Sequence, residues 1–245
     1  MERRSLIIYC DNTPPSKELN GPSIDNSNYR TFLTSNLGGK WVDEEIKSMN
    51  NPSIKEVQDA VASHFNGAGY TFTIFTGHGG INPRQNDLQY LQLKDGNLSI
   101  LELKNSAERQ TIVIDACRTH LTVESVKSFA LTESIYKMGA KSTREMFDKE
   151  IERCEKGLTI LYAASKEEAA RDSKSGGAYL VSLISAALLW EKRNKEALTL
   201  PLYEAHDLAK DFLSKHFPTE QHPQIEPDKR NNYFPFAVKY MTINL

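Results

Sequence analysis

A set of short, nearly continuous apolar runs constrains this chain most: Ser5–Cys10 (SLIIYC), Tyr70–Gly77 (YTFTIFTG), Gln110–Cys117 (QTIVIDAC) and Leu158–Ser165 (LTILYAAS). A strand with one wet face alternates apolar and polar residues. Runs without alternation predict strands covered on both faces, as in parallel sheets. Helical patterns lie between them. Tyr29–Leu37 reads as a helix closed by Gly38-Gly39, after a Pro/Asn/Gly-rich loop over Asp11–Asn28. A better helix starts near Ser53, where Asn51 or Ser53 can cap it. Ile54, Val57, Val61 and Phe65 recur at helical spacing, and Gly67 to Gly69 stops it. Gly176–Trp190 is a strongly apolar helix and Leu202–His216 an amphipathic one. A hairpin is predicted from YLQLKDG (Tyr90–Gly96) to NLSILEL (Asn97–Leu103), turning at Asp95-Gly96. A Pro-rich loop precedes a last strand, Phe236–Ile243. Strands alternating with helices predict an α/β fold: a three-layer α/β/α sandwich with a mostly parallel central sheet and helices on both faces. No linker divides the chain, so residues 1–245 read as a single domain.

Composition narrows the class. Of 245 residues, 39% are hydrophobic and 25% charged, enough to bury a sizeable core. The net charge of −2 asks for neither nucleic acid nor an anionic membrane. Cys10, Cys117 and Cys154 are too few and too irregular for a disulfide framework. The apolar run Leu6–Tyr9 is too short for a signal peptide, and no run is long enough to span a membrane. The expectation is a cytoplasmic protein with free thiols.

Two strands end in reactive side chains. One closes on Thr76-Gly77-His78-Gly79-Gly80, the other on Asp115-Ala116-Cys117-Arg118. Working residues of open α/β sheets sit at the carboxyl ends of strands. If these strands are parallel neighbours, His78 and Cys117 stand over one edge of the sheet. The thiolate is the nucleophile, and a nearby imidazole can take the thiol proton and later protonate a leaving amine. A lone Cys at a strand end is ordinarily a small buried hydrophobe, so the pairing with His78 carries the argument.

These motifs resemble those of the caspase and metacaspase superfamily. FTIFTGHGG is similar to its Ser-Gly-His-Gly strand end, and TIVIDACR to its Asp-Ser-Cys or Gln-Ala-Cys strand end. The resemblance extends along most of the chain in family order. IIYCDN and LNGPSIDN resemble the first strand and following loop of metacaspases. YLQLKDG resembles the segment after the catalytic His, LTILYAASKEEAARDSKSGGAYLVSL the region downstream of the Cys, and FPFAV the closing strand. There are departures. The His78-to-Cys117 spacing is shorter than the roughly 50 residues of caspases, Thr76 replaces a Ser, and Arg118-Thr119-His120 is unusual. They fit a compact, prokaryotic relative.

The resemblance implies a cysteine endopeptidase with Cys117 as nucleophile, His78 as its base, and the backbone N–H groups of Gly79 and Cys117 as oxyanion hole. Asp25 and Asp115 match the acidic pair with which metacaspases bind Arg or Lys, with Thr76 beside them. Paired carboxylates suit a guanidinium, so cleavage after Arg or Lys is expected. Arg118, next to the nucleophile, is a charge that could enter and neutralise this pocket. Residues 119–157 correspond to the caspase intersubunit linker. They hold Lys127, Lys137, Lys141, Arg144, Lys149, Arg153 and Lys156, and their second half also reads as a solvated helix. Self-processing, an upstream protease or an activating protein would act there, in a regulated effector of immunity or cell death. No cofactor is expected. Asp87 and Asp95 form no Asp-Asp calcium pair, the remaining histidines have no zinc spacing with Cys, and GHGG lacks the Lys of a phosphate loop. The substrate is a protein or peptide, with no nucleic acid and no membrane. The competing expectations are a non-catalytic scaffold of the same fold and a different thiol hydrolase.

Overall fold

The computed structural model describes residues 1–82, 87–118, 143–194, 196–217, 220–227 and 230–240. In chain order the elements are β1 (Arg3–Tyr9), α1 (Pro22–Thr34), β2 (Ile46–Asn50), α2 (Ile54–His64), β3 (Tyr70–Thr76), β4 (Gly79–Asn82), β5 (Leu88–Leu93), β6 (Gly96–Ser99) and β7 (Arg109–Asp115). There follow α3 (Arg144–Arg153), β8 (Gly157–Tyr162), β9 (Asp172–Ser173), β10 (Gly176–Gly177), α4 (Ala178–Arg193), β11 (Thr199–Pro201), α5 (Leu202–His216), β12 (Gln224–Glu226) and β13 (Pro235–Val238).

The main sheet has the order β12-β8-β7-β3-β1-β2. All neighbours are parallel except β12, which runs antiparallel to β8. Alternate residues of the apolar runs feed two cores. Ile7, Phe72, Ile74, Val113 and Leu161 face one side, where Tyr29 and Phe32 of α1, Phe147 and Ile151 of α3, and the buried faces of α4 and α5 pack. Leu6, Ile8, Phe75, Ile112, Ile114 and Ile160 face the other. There Val57 and Ala60 of α2 pack beside Leu91, Leu93 and Leu98 of the small sheet β4-β5-β6. Full burial on both sides explains why these runs do not alternate. The three-layer expectation holds, with helices crowded on one face and a helix plus a small sheet on the other.

The boundaries shift where polar residues serve structure. The first helix begins at Pro22, not Tyr29, and ends at Thr34. Its turn-forming composition hides it, but proline is well suited to the first helical turn, where its missing N–H is no loss. Asp25 therefore sits in a helical first turn rather than a loop. Helix α2 matches expectation, with Ser53 and Glu56 forming a reciprocal cap. The second hairpin strand stops at Ser99, where Ser99 and Glu102 cap a short 3-10 turn instead. The final strand is not part of the main sheet. Its described part, β13, pairs antiparallel with β11, while β12 takes the open edge of β8; residues 241–243 lie outside the described residues. Of the expected processing region, 119–142 also lie outside them. Its second half does form a helix, α3, anchored in the core by Phe147 and Ile151.

Candidate active site

Register places the chemistry. Tyr9 pairs with Thr76 and Thr76 with Asp115 across β1, β3 and β7. Gly77 N–H continues the ladder to the Asp115 carbonyl at 3.2 Å. His78 and Cys117 each follow their paired residues by two positions, and both line one cleft. Thr76, Asp115, Arg171, Asp172 and Gly177 help to complete its lining. The free volume is about 20 Å³, room for about one water. Two wider cavities, about 600 and 530 Å³, lie beside α3, β11 and β13 and between α4 and α5. Neither joins a histidine to a cysteine, as the small cleft does.

Each reactive side chain is held by a loop carbonyl. His78, 7% exposed, bonds through Nε2 to the Lys17 carbonyl at 2.5 Å. A carbonyl only accepts, so Nε2 carries the proton and Nδ1 is the basic nitrogen of the neutral ring. The Cys117 thiol donates to the Ala170 carbonyl, S···O 3.5 Å. Burial raises its pKa, which keeps the resting group a thiol.

Strand β5 braces both. Gln92 N–H donates to the His78 carbonyl at 2.9 Å. The Gln92 side chain also donates to the Thr13 carbonyl (2.7 Å) and accepts from Ser16 (2.8 Å), steadying the loop that presents Lys17. Gln89 Nε2 donates to the Cys117 carbonyl at 3.0 Å. Gly79 has no room for a side chain. A Cβ there would lie 2.7 Å from the Tyr90 carbonyl oxygen and 2.9 Å from the Ala116 Cβ.

The expected acidic pair is present and meets a third carboxylate. Asp25, 1% exposed, accepts from Thr76 Oγ1 (2.7 Å) and Gly177 N–H (3.0 Å). Burial first, then the neighbouring Asp115, pushes its carboxyl well above the usual range. Asp115 accepts from Leu180 N–H at 3.1 Å, and burial pushes it up to about 7. Asp172 accepts from Asn20 N–H at 2.9 Å and is raised by burial. Among the described residues no salt bridge reaches any of the three. Nor does any group of three or more His, Cys, Asp or Glu there stand as a metal site.

Arg118 turns away from the cleft. Its guanidinium lies 4.1 Å from the Tyr162 ring centroid, and Nη1 donates to the Ala164 carbonyl at 3.4 Å. The sequence reading missed Lys17, which acts through a main-chain carbonyl and leaves no side-chain signal. It missed Asp172, which stands in a hairpin of polar residues. It also missed Gln89, whose signal was legible: a glutamine on the strand face it shares with Leu91 and Leu93.

Residues 2–234 match the profile of a family described as Caspase domain. No curated protein matches the chain. Among solved structures, protein GSU0716 from Geobacter sulfurreducens is similar, with TM-score 0.57 and 14% identity over 92% of each chain. Caspase-1 from Spodoptera frugiperda is similar, with TM-score 0.57 and 12% identity, over 97% of this chain and 84% of that one. At these identities the likeness is one of fold. Among the described residues no helix is long and apolar enough to cross a membrane.

Proposed function

The chain belongs to the caspase-domain family, and on that premise we propose that it is a cytoplasmic cysteine endopeptidase of protein substrates that cleaves after Arg or Lys. The observation that carries the reading is the cleft itself. It gathers His78 and Cys117 with Asp115, Asp172 and Arg171, and Asp25 is buried behind Thr76.

The steps follow from these positions. His78 Nδ1 takes the Cys117 proton as sulfur bonds to the scissile carbonyl carbon. Backbone N–H groups of Gly79 and Cys117 receive the oxyanion; one such donor is typically worth about 10²–10³ in rate. The C–N bond then breaks, and His78 returns the proton to the departing amine. Water, deprotonated by His78, cleaves the thioester and restores the thiol. The raised thiol pKa makes the imidazole necessary as a general base rather than a bystander.

A guanidinium or ammonium of the substrate would neutralise Asp25 and Asp115, with Thr76 holding Asp25 in place. Processing by this enzyme or another would fall before Thr143, because α3 is anchored in the core.

Purified protein should release fluorophore from peptide reporters ending in Arg or Lys, and the Cys117→Ala variant should not. Release only after Asp or Leu would keep the peptidase and remove the acidic pocket. Full cellular effect from Cys117→Ala would favour a scaffold.

A further inference from the structure

Strand β5 alternates, and its inward face carries Gln89, Leu91 and Leu93. The two leucines fill the core, at 0% and 1% exposure, and Gln89 is buried to 2%. A buried amide is stable only when both its ends are bonded. Here one end is. Nε2 donates to the Cys117 carbonyl, whereas Oε1 is buried without a partner among the described residues. Leucine would suit this face better, so packing does not account for the glutamine.

Its neighbours do. The same Nε2 lies 3.3 Å from where a Gly79 Cβ would stand. The Gln89 amide thus touches both residues assigned to the oxyanion hole. The peptide joining Cys117 to Arg118 is held from two sides, its carbonyl by Gln89 and its N–H by the Glu168 carbonyl at 2.9 Å. Fixing that peptide plane fixes rotation about the Cα–C bond of Cys117. The thiol and the preceding N–H then keep one direction relative to Gly79.

We propose that Gln89 is a positioning residue that sets the geometry of the nucleophile and oxyanion hole by clamping the Cys117 carbonyl. The proposal rests on the Cys-His peptidase reading above.

The test compares wild type with Gln89→Leu in four measurements: reporter turnover, inhibition by a peptidyl-arginine aldehyde, alkylation by iodoacetamide, and thermal midpoint. The aldehyde forms a tetrahedral adduct whose oxygen needs the oxyanion donors; iodoacetamide needs only the thiol. Gln89→Leu should lower kcat by about 10²-fold with KM nearly unchanged, since small misplacements of reacting groups have effects of that size. Aldehyde inhibition should weaken in parallel. Iodoacetamide reactivity should stay close to wild type, and the midpoint should hold or rise. Gln89→Met keeps the length, removes the donor without burying a charge and should behave likewise, which preserves the test if the leucine variant misfolds. Unchanged kcat would overturn the proposal, as would equal losses of kcat, iodoacetamide reactivity and thermal midpoint. Wild type that turns over no reporter would remove the peptidase reading and this role with it, whereas equal turnover by wild type and variants would remove this role alone.

Discussion

The two ends of the main sheet treat buried charge in opposite ways. At the amino end, Arg3 is fully buried at the start of β1. Its guanidinium meets Asp148 at 3.2 Å and Glu45 at 3.8 Å, donates to the Gly39 carbonyl at 2.7 Å, and lies 4.4 Å and 5.2 Å from the Trp41 and Phe147 ring centroids. Glu45 is gripped again by Arg144, at 2.9 Å and 2.5 Å. Burial alone would raise Glu45, but the Arg144 hydrogen bond and the other partners hold its carboxyl below the usual range. At the carboxyl end, Asp25, Asp115 and Asp172 have hydrogen bonds but no salt bridge among the described residues, although Arg171 lines the same cleft, and all three are raised. One cluster is complete in charge within the fold, although Arg3 Nε, Arg3 Nη1 and Asp148 Oδ1 make no hydrogen bond there. The other, on the proposed reading, is completed by a cationic group of the substrate, which is how a binding site differs from a structural ion pair.

Breaking the complete cluster should have the largest effect on stability. Arg3→Met leaves Asp148 without its buried partner, and removing one member of such a pair typically lowers stability by about 3–5 kcal/mol. Denaturant unfolding should show that loss, while reporter turnover per folded molecule stays within about twofold, because the cluster lies at the far end of the sheet. A variant that keeps its stability but loses turnover would erase the distinction between the two ends.

The incomplete cluster should respond in reverse. On the proposed specificity, Asp115→Asn removes a charge that binds the substrate cation. Turnover of Arg reporters should fall by about 10²–10³-fold, equivalent to roughly 3–4 kcal/mol of barrier, and the melting temperature should hold or rise. The pH profile gives a second readout. A carboxyl raised to about 7 in the folded state binds a proton that the unfolded chain has already released above its ordinary range. Folding stability from this group is therefore greatest at acidic pH and declines as pH rises from about 4 to about 7. Glu45, held low, does the opposite: its contribution is present above the ordinary carboxylate range and disappears as pH falls through its folded value. Asp115→Asn should flatten the decline toward neutral pH and leave the acid limb alone. An unchanged slope would mean that Asp115 ionises normally in the folded protein.

The same contrast explains what the sequence could disclose. The parallel sheet was legible because burial on both faces makes its strands apolar without alternation, and the reactive strand ends were legible because His78 and Cys117 follow such strands directly. Asp25 and Asp115 could be named as a pair only through family resemblance. Burial and neighbouring charge, visible only in the fold, set their protonation. Helix α1 was half missed because Pro22, Ser23 and Asn26 read as turn formers, although proline and acidic Asp25 also suit a helix start. Strands β2 and β12 are short and polar, Ile46–Asn50 and Gln224–Glu226, and derive their place from a neighbour's open edge rather than from their own pattern. Lys17 was beyond reach because its contribution to His78 is a carbonyl that every residue possesses.

Arg118 provides the smallest effect and the sharpest check on which charges belong to the site. Sequence placed a guanidinium one residue from the nucleophile, where it could have filled the acidic pocket from within. In the fold its backbone is held by Glu168 and Glu167, through Arg118 N–H to the Glu168 carbonyl (2.9 Å) and Glu167 N–H to the Arg118 carbonyl (3.0 Å). The side chain then lies along β8 over Tyr162, away from Asp25 and Asp115. Arg118→Met keeps much of the aliphatic packing and removes the ring contact and one weak hydrogen bond. Stability should fall by about 1 kcal/mol, and kcat/KM for Arg reporters should change by less than about threefold. A rise of tenfold or more would show that the guanidinium competes for the pocket carboxylates in solution, so that the carboxyl end would carry its own cation after all. Turnover that stays level while stability drops slightly would place Arg118 with the structural charges, although it stands beside Cys117 in sequence.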